Sequence, residues 1–254
     1  MNKIVVAIDF SECSVNAFVH ALSIAEHCSG ELILIWVEKA GNEKEKFSDK
    51  GNNTAREVEK AFEDLISRYQ PEHPGVKITW KIRRGKIYKE VTDEAKALKS
   101  MMIVTGTHGA SGFEEFWIGS NANKIVSSSH CPVITIRGGI SIARPLERIV
   151  VPIDSAEETR QKASFVGYLA KRHHAEVHIL KLYTTKIKAI RQKVDIYAAQ
   201  VIKHMETEEV TCHVDQVVCE NISDATIEYA KKIDANLIAI MTELDCALDM
   251  ETGG

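Results

Sequence analysis

Lys3-Ile-Val-Val-Ala-Ile-Asp9 returns as Arg148-Ile-Val-Val-Pro-Ile-Asp154, 145 positions later. The same offset carries Ala25 onto Ala170, Glu31 onto Glu176 and Val37 onto Leu182, with no gap between them. A register held that far is the mark of one structural unit used twice. Farther on, Met101-Met-Ile-Val104 aligns with Leu237-Ile-Ala-Ile240 at an offset of 136, which makes the middle of the second copy shorter by nine residues. The 254 residues thus divide into a first domain at 1–139 and a second at 146–254, with Gly138-Gly139 through Pro145 as the linker.

Within the first copy, short β-branched runs alternate with helical periods. Strand 3–9 leads to a helix from Ser14 to Cys28, whose apolar positions are Ala17, Phe18, Ala21, Leu22, Ile24 and Ala25. Strand 31–37 follows, then a polar loop from Glu38 to Asn53 and a helix from Thr54 to Tyr69. Strand 76–83, a helix at 88–99, strand 101–105, a helix at 120–129 and the strand Pro132-Val-Ile-Thr-Ile136 complete the unit. The expected class is α/β, with two tandem doubly wound parallel sheets in the order 3-2-1-4-5. Aligned in this way, Asp245 falls opposite Gly109 with only 9 residues after it, so the second copy is expected to lack its last helix and strand in this chain.

Composition excludes several classes of function. A net charge of -4 gives no electrostatic case for nucleic acid or an anionic membrane as partner. No apolar run approaches the roughly 18 residues of a membrane span; Leu32-Ile-Leu-Ile-Trp-Val37 reads as a buried strand. The chain enters a strand by Lys3, which leaves no room for a signal peptide. Six scattered cysteines without a C-x-x-C pair fit reduced thiols in the cytoplasm.

Chemistry concentrates where the fourth strand ends, in Gly106-Thr-His-Gly109, nine further residues, then Gly119-Ser120. Glycine lets a ligand approach the backbone, and a helix opening at Gly119-Ser120 directs free N–H groups at an anion. The pattern reads as a phosphate cradle; a glycine turn followed by a Ser helix cap is the simpler alternative. In a doubly wound sheet the ligand crevice lies beyond the carboxyl ends of the strands, which brings in Asp9, Val37 and Thr105. Asp9 can serve a ligand or cap a helix, and Val37 can wall a base or simply fill the core. The glycines follow the fourth strand rather than the first, unlike a dinucleotide fingerprint, and no Walker sequence is present.

The spacing G-x2-G-x9-G-[ST], together with Ile8-Asp9-Phe-Ser11 and His130-Cys-Pro132-Val-Ile-Thr-Ile136, resembles the universal stress proteins in tandem form. The resemblance implies an ATP site, with magnesium accompanying the nucleotide. Asp9 would contact the sugar or base, Ala7 and Val37 would line the adenine, and Thr105 and Gly106 would pass beneath the nucleotide. Gly109, Gly119, Ser120 and Asn121 would hold the phosphates. Ala7 and Asn121 depart from the Pro and Val common in the family's ATP binders. It also implies a homodimer through the fifth-strand edge, no nucleic acid or membrane partner, and a cytoplasmic stress-response or signalling module. A slow ATP hydrolase and a structural pseudo-dimer without nucleotide are the alternatives.

The second copy matches Gly106 with Thr242 and Gly109 with Asp245, so it is not expected to bind ATP in the same way. That contrast assigns the glycines to a ligand rather than to building the unit. No catalytic residue emerges. Cys212, His213 and Cys219 are not expected to hold a metal, because strand alternation over 210–218 puts Cys212 and His213 on opposite faces. Arg83-Arg84-Gly-Lys86 reads as a solvated turn, His173-His174 as an exposed helix end, and Lys124 and His108 as ordinary surface groups.

Overall fold

The computed structural model describes residues 2–39, 49–107, 119–137 and 145–241, with side chains placed outside 39 and 49–54. The chain divides into two compact units, Met1–Ala143 and Arg144–Gly254. The first contains β1 (Asn2–Ala7), α1 (Glu12–Cys28), β2 (Gly30–Lys39), α2 (Asp49–Tyr69), β3 (Lys77–Gly85), α3 (Ile87–Leu98), β4 (Met102–Gly106), α4 (Ser120–Ser128) and β5 (Val133–Ile136). These strands form one parallel sheet in the order β3-β2-β1-β4-β5.

The second unit contains β6 (Arg148–Ile153), α5 (Ala163–His173), β7 (Glu176–Tyr183), α6 (Lys188–Thr207), β8 (Cys212–Val218), α7 (Ile222–Lys232) and β9 (Leu237–Ile238). Its parallel sheet runs β8-β7-β6-β9, the first four positions of the same order. Among the described residues it has no counterpart of α4 or β5.

The central strands are apolar throughout because helices cover both faces of a parallel sheet. Ile4, Val5, Val6, Met102, Ile103 and Val104 are all fully buried. Edge strand β3 instead has only exposed and half-buried positions. Val5, Ile33, Ile35, Val37 and Ile103 point to one face, where they meet Val91 and Ala95 of α3 and Ile125 of α4. On the other side, fully buried Phe62 of α2 stacks on Trp80 with ring centroids 5.2 Å apart. Burying one such side chain stabilises the unit by about 1.5–3 kcal/mol.

Sheet pairing preserves the first offset and corrects the second. Lys3 pairs with Glu31 as Arg148 pairs with Glu176. However, Ile4 pairs with Met102, whereas its counterpart Ile149 pairs with Leu237. Leu237 therefore corresponds to Met102, an offset of 135, and the second middle segment is shorter by ten. Two equivalent hydrogen bonds fix the phase: Met101 N–H to the Lys3 carbonyl at 2.8 Å, and Asn236 N–H to the Arg148 carbonyl at 2.9 Å. A run of four apolar residues has no polar position to reveal such a slip. Gly106 consequently corresponds to Met241, and an ungapped continuation sets Leu244, not Asp245, opposite Gly109. No carboxylate stands opposite Gly109 in this register.

Two boundaries also move. β1 ends at Ala7, so Asp9 lies beyond the strand, and the expected loop 38–53 is shortened from both sides by β2 and α2.

Candidate functional site

The carboxyl ends of three strands meet in register at the point where the connections diverge. Ala7 pairs with Ile35 on one side and Thr105 on the other. Val37, two residues past Ile35, is 9% exposed and belongs to the apolar cluster that Ala7 borders. Its role in the core is thus realised. Ile87 and Tyr88, from the first turn of α3, pack against the same cluster. The sequence reading missed both. The available signal was an apolar pair opening the helix just past the third strand.

Beyond Ala7 the backbone turns sharply. Phe10 takes a left-handed conformation with φ 62, rare for a bulky residue, and its ring packs edge-on against Phe62 at 5.0 Å. The turn brings Asp9 back over the start of α1. Its Oδ1 accepts the Ser11 N–H at 3.1 Å and the Ser11 hydroxyl at 2.5 Å. Ser11 is the N-cap of α1, and its Oγ accepts the Ser14 N–H at 3.3 Å. Asp9 therefore organises a helix cap, and it remains exposed at the end of the sheet.

Gly106 has a structural reason of its own. A Cβ there would lie 2.8 Å from Cys13 Sγ and 3.0 Å from the Cys13 carbonyl oxygen. The end of β4 can approach α1 this closely only without a side chain. The expectation that the glycines serve only a ligand is corrected at this position. Thr105 is buried, and its hydroxyl contacts the Gly106 carbonyl at 3.3 Å.

Thr107 extends the β4 pairing through its N–H to the Ile136 carbonyl at 2.9 Å. Its own carbonyl accepts the Gly119 N–H at 2.7 Å. That bond sets the start of α4 beside the end of β4. Gly119 is the N-cap, with φ -57 and ψ 150 and no capping side chain. Asn123 N–H closes the first helical turn on the Gly119 carbonyl at 3.0 Å. The N–H groups ahead of it have no intrahelical acceptor, as at any helix start, and Ser120 and Asn121 are exposed. Gly109 and His108 lie outside the described residues.

The basic groups near this end are partly engaged. Arg83 and Lys81 both bind the buried carboxylate of Glu94, and Arg84 pairs with Glu38 at 3.6 Å. Burial alone would raise the Glu94 pKa, but the hydrogen bonds from Lys81 and Arg83 outweigh it and hold the group below its ordinary value. Lys124 sits over the Tyr88 ring at 5.6 Å.

The corresponding end of the second unit is built differently. Ala156 replaces the capping Ser11, and Glu157–Arg160 form a short 3-10 turn before α5 begins at Ala163. Lys162 stands where the first copy has buried Ala17. Its ammonium donates to the Pro152 carbonyl at 2.7 Å, and Thr159 Oγ1 donates to the same oxygen at 3.1 Å. Burial pushes the Lys162 pKa down to about 8, against the opposing pull of Asp154. A cleft of about 240 Å³ lies at the carboxyl ends of β7 and β8, lined by Tyr183, Arg191, Asp195, Gln216 and Val218. His173 ends α5 and exposed His174 caps it with φ 53, as the helix-end reading expects, but His173 is half-buried rather than exposed.

Alternation does separate Cys212 from His213, which pairs with His178 on the neighbouring strand. That pairing creates a group the sequence reading did not find: Glu176, His178 and His213, with their ligand atoms all within 4.8 Å of one another.

Comparison with known proteins matches this architecture. A universal stress protein of Methanocaldococcus jannaschii is 28% identical over 147 residues, covering 53% of this chain and 81% of that protein. The universal stress protein YxiE of Bacillus subtilis is 28% identical over 148 residues, covering 54% of this chain and 99% of that one. The crystal structure of a universal stress protein from Archaeoglobus fulgidus shares the fold with a TM-score of 0.71 at 20% identity, over 93% of this chain and 85% of that chain. The profile of the universal stress protein family matches residues 1–137, and the chain belongs to that family.

Proposed function

We propose that the first unit binds ATP at the carboxyl end of its sheet and works as a stress-response or signalling module, nucleotide occupancy setting its conformation or partner. The observation that carries this reading is the Gly119 to Thr107 hydrogen bond, which holds a helix N-terminus against the end of β4. Backbone N–H groups at Ser120 and Asn121 would then face the phosphates, with Gly119 anchoring the turn on Thr107 and Gly109 completing the cradle. Ala7 and Val37, joined by Ile87 and Tyr88, offer the base an apolar wall. Thr105 and Gly106 form the floor, and the exposed Asp9 would contact the ribose.

Among the described residues no cluster of three ligating side chains stands at this end of the sheet. Magnesium would therefore arrive on the phosphates and be held through them and water. In the second unit the Lys162 ammonium occupies the end of β6, which supports one nucleotide site per chain. Strand β5 pairs only with β4 among the described residues, leaving an edge suited to joining two copies as a homodimer. A cytoplasmic location belongs to the same proposal. Thermal unfolding with and without Mg-ATP tests the central part.

A further inference from the structure

At the amino end of the second sheet, two neighbouring strands bring three ligating groups onto one face. Glu176 and His178 are two apart on β7 and share a face by alternation. His213 of β8 pairs directly with His178, and the two imidazoles stack at 4.8 Å. The Glu176 carboxylate lies 3.9 Å from His178 Nε2 and 3.5 Å from His213 Nε2. The first distance exceeds a hydrogen bond. His178 is 9% exposed, and its Nε2 is shut off from solvent with no hydrogen-bond partner.

The opposite nitrogen of His178 reveals how the ring is set. Tyr229 of α7 donates its single hydroxyl hydrogen to Asp215 Oδ2 at 2.5 Å. The contact between that hydroxyl oxygen and His178 Nδ1, at 3.3 Å, must then use a hydrogen from the imidazole. With Nδ1 protonated, the neutral ring directs the Nε2 lone pair at Glu176. Burial and the neighbouring His213 lower the His178 pKa and favour that neutral form, while Glu176 and Asp215 oppose the shift. Arg148, the other charged group acting on His178, adds to the lowering. A lone pair, a second imidazole and a carboxylate converge without a proton to join His178 to Glu176.

We propose that Glu176, His178 and His213 bind a divalent transition-metal ion of the zinc type, with Tyr229 and Asp215 orienting His178. Two imidazoles and a carboxylate are the donors such an ion takes, and a carboxylate-linked partner on the far nitrogen of a ligating imidazole is how these sites are held. Ligand atoms around a tetrahedral ion stand about 3.3 Å apart, given metal–ligand distances near 2.0–2.1 Å. The half-exposed side chains of His213 and Glu176 can draw in by the required amount, and the remaining position opens to solvent. The site lies at the amino end of the second unit's sheet, whereas the proposed nucleotide site uses the carboxyl end of the first unit's sheet.

Cobalt(II) titration of the chelator-stripped full chain, followed by zinc displacement, tests the proposal. One cobalt per chain should bind with visible d–d absorption and no thiolate charge-transfer band, and zinc should bleach it. His213→Ala and Glu176→Gln should each weaken binding by at least about ten-fold, with far-UV dichroism unchanged because both side chains are half exposed. Tyr229→Phe should keep the stoichiometry and lose about 10–100-fold in affinity. Absence of stoichiometric cobalt binding overturns the proposal. So does a thiolate band, or undiminished affinity in His213→Ala.

Discussion

The Gly119 N–H donates to the Thr107 carbonyl at 2.7 Å, tying the N-cap of α4 to the residue just past the end of β4. Thr107 is itself anchored to Ile136 of β5. The helix terminus is therefore positioned by the sheet, as a preorganised anion site requires.

That geometry separates binding from folding at Gly119. Its φ of -57 suits any residue, and Asp is a better N-cap than Gly by a few tenths of a kcal/mol. Gly119→Asp should leave stability equal or slightly raised in urea unfolding, while its carboxylate repels the phosphates and abolishes ATP-induced stabilisation. Unchanged nucleotide binding in this variant would place the phosphates elsewhere.

At Gly106 the expected effect is on the fold. Gly106→Ala drives a methyl group into Cys13 and should cost about 1–3 kcal/mol by denaturant titration. Adding Cys13→Ala removes the 2.8 Å sulfur contact but leaves the backbone contacts at 3.0 Å. The double variant should thus recover only part of the loss; full recovery would mean that the sulfur alone excludes a side chain.

Asp9 has two roles that conservative substitution can divide. Asp9→Asn keeps an oxygen acceptor for Ser11, so stability should change little while ATP affinity falls about ten-fold, the scale of one charged hydrogen bond. Asp9→Ala should additionally lose about 1 kcal/mol from the weakened cap at Ser11. Calorimetric titration with ATP and urea unfolding measure the two effects independently.

Lys162 makes stability depend on pH in a known direction. Its folded pKa of about 8 lies below the usual lysine value, so the unfolded chain binds more protons between them. The penalty is fully present below pH 8 and is relieved as pH rises from there toward the ordinary lysine range. Lys162→Met should stabilise the second unit by about 1–3 kcal/mol at pH 7. The gain over wild type should shrink by pH 10; a constant difference across that range would remove burial of charge as its cause.

Much of the fold was legible because its signals are redundant along the chain. The strand beginning at Lys3 recurs at Arg148 with both its apolar run and its closing Asp, and the helix after each repeats the same register. Leu237-Ile238 carried no such marker, and only hydrogen bonding to β6 fixes its phase. At the site, residue types and strand ends could be read, but not the clash that makes Gly106 obligatory or the turn that gives Asp9 to Ser11. The Glu176, His178 and His213 group was invisible for a related reason. Pairing between strands, rather than spacing within one, brings it together.

The decisive measurement is thermal unfolding of the full chain across a titration of Mg-ATP, with Gly119→Asp as the paired control. A genuine site saturated at about 100 times its Kd stabilises the binding-competent state by about 2.7 kcal/mol. The account predicts a concentration-dependent rise in Tm for wild type and none for Gly119→Asp. A wild-type chain whose Tm does not move at millimolar Mg-ATP would contradict it.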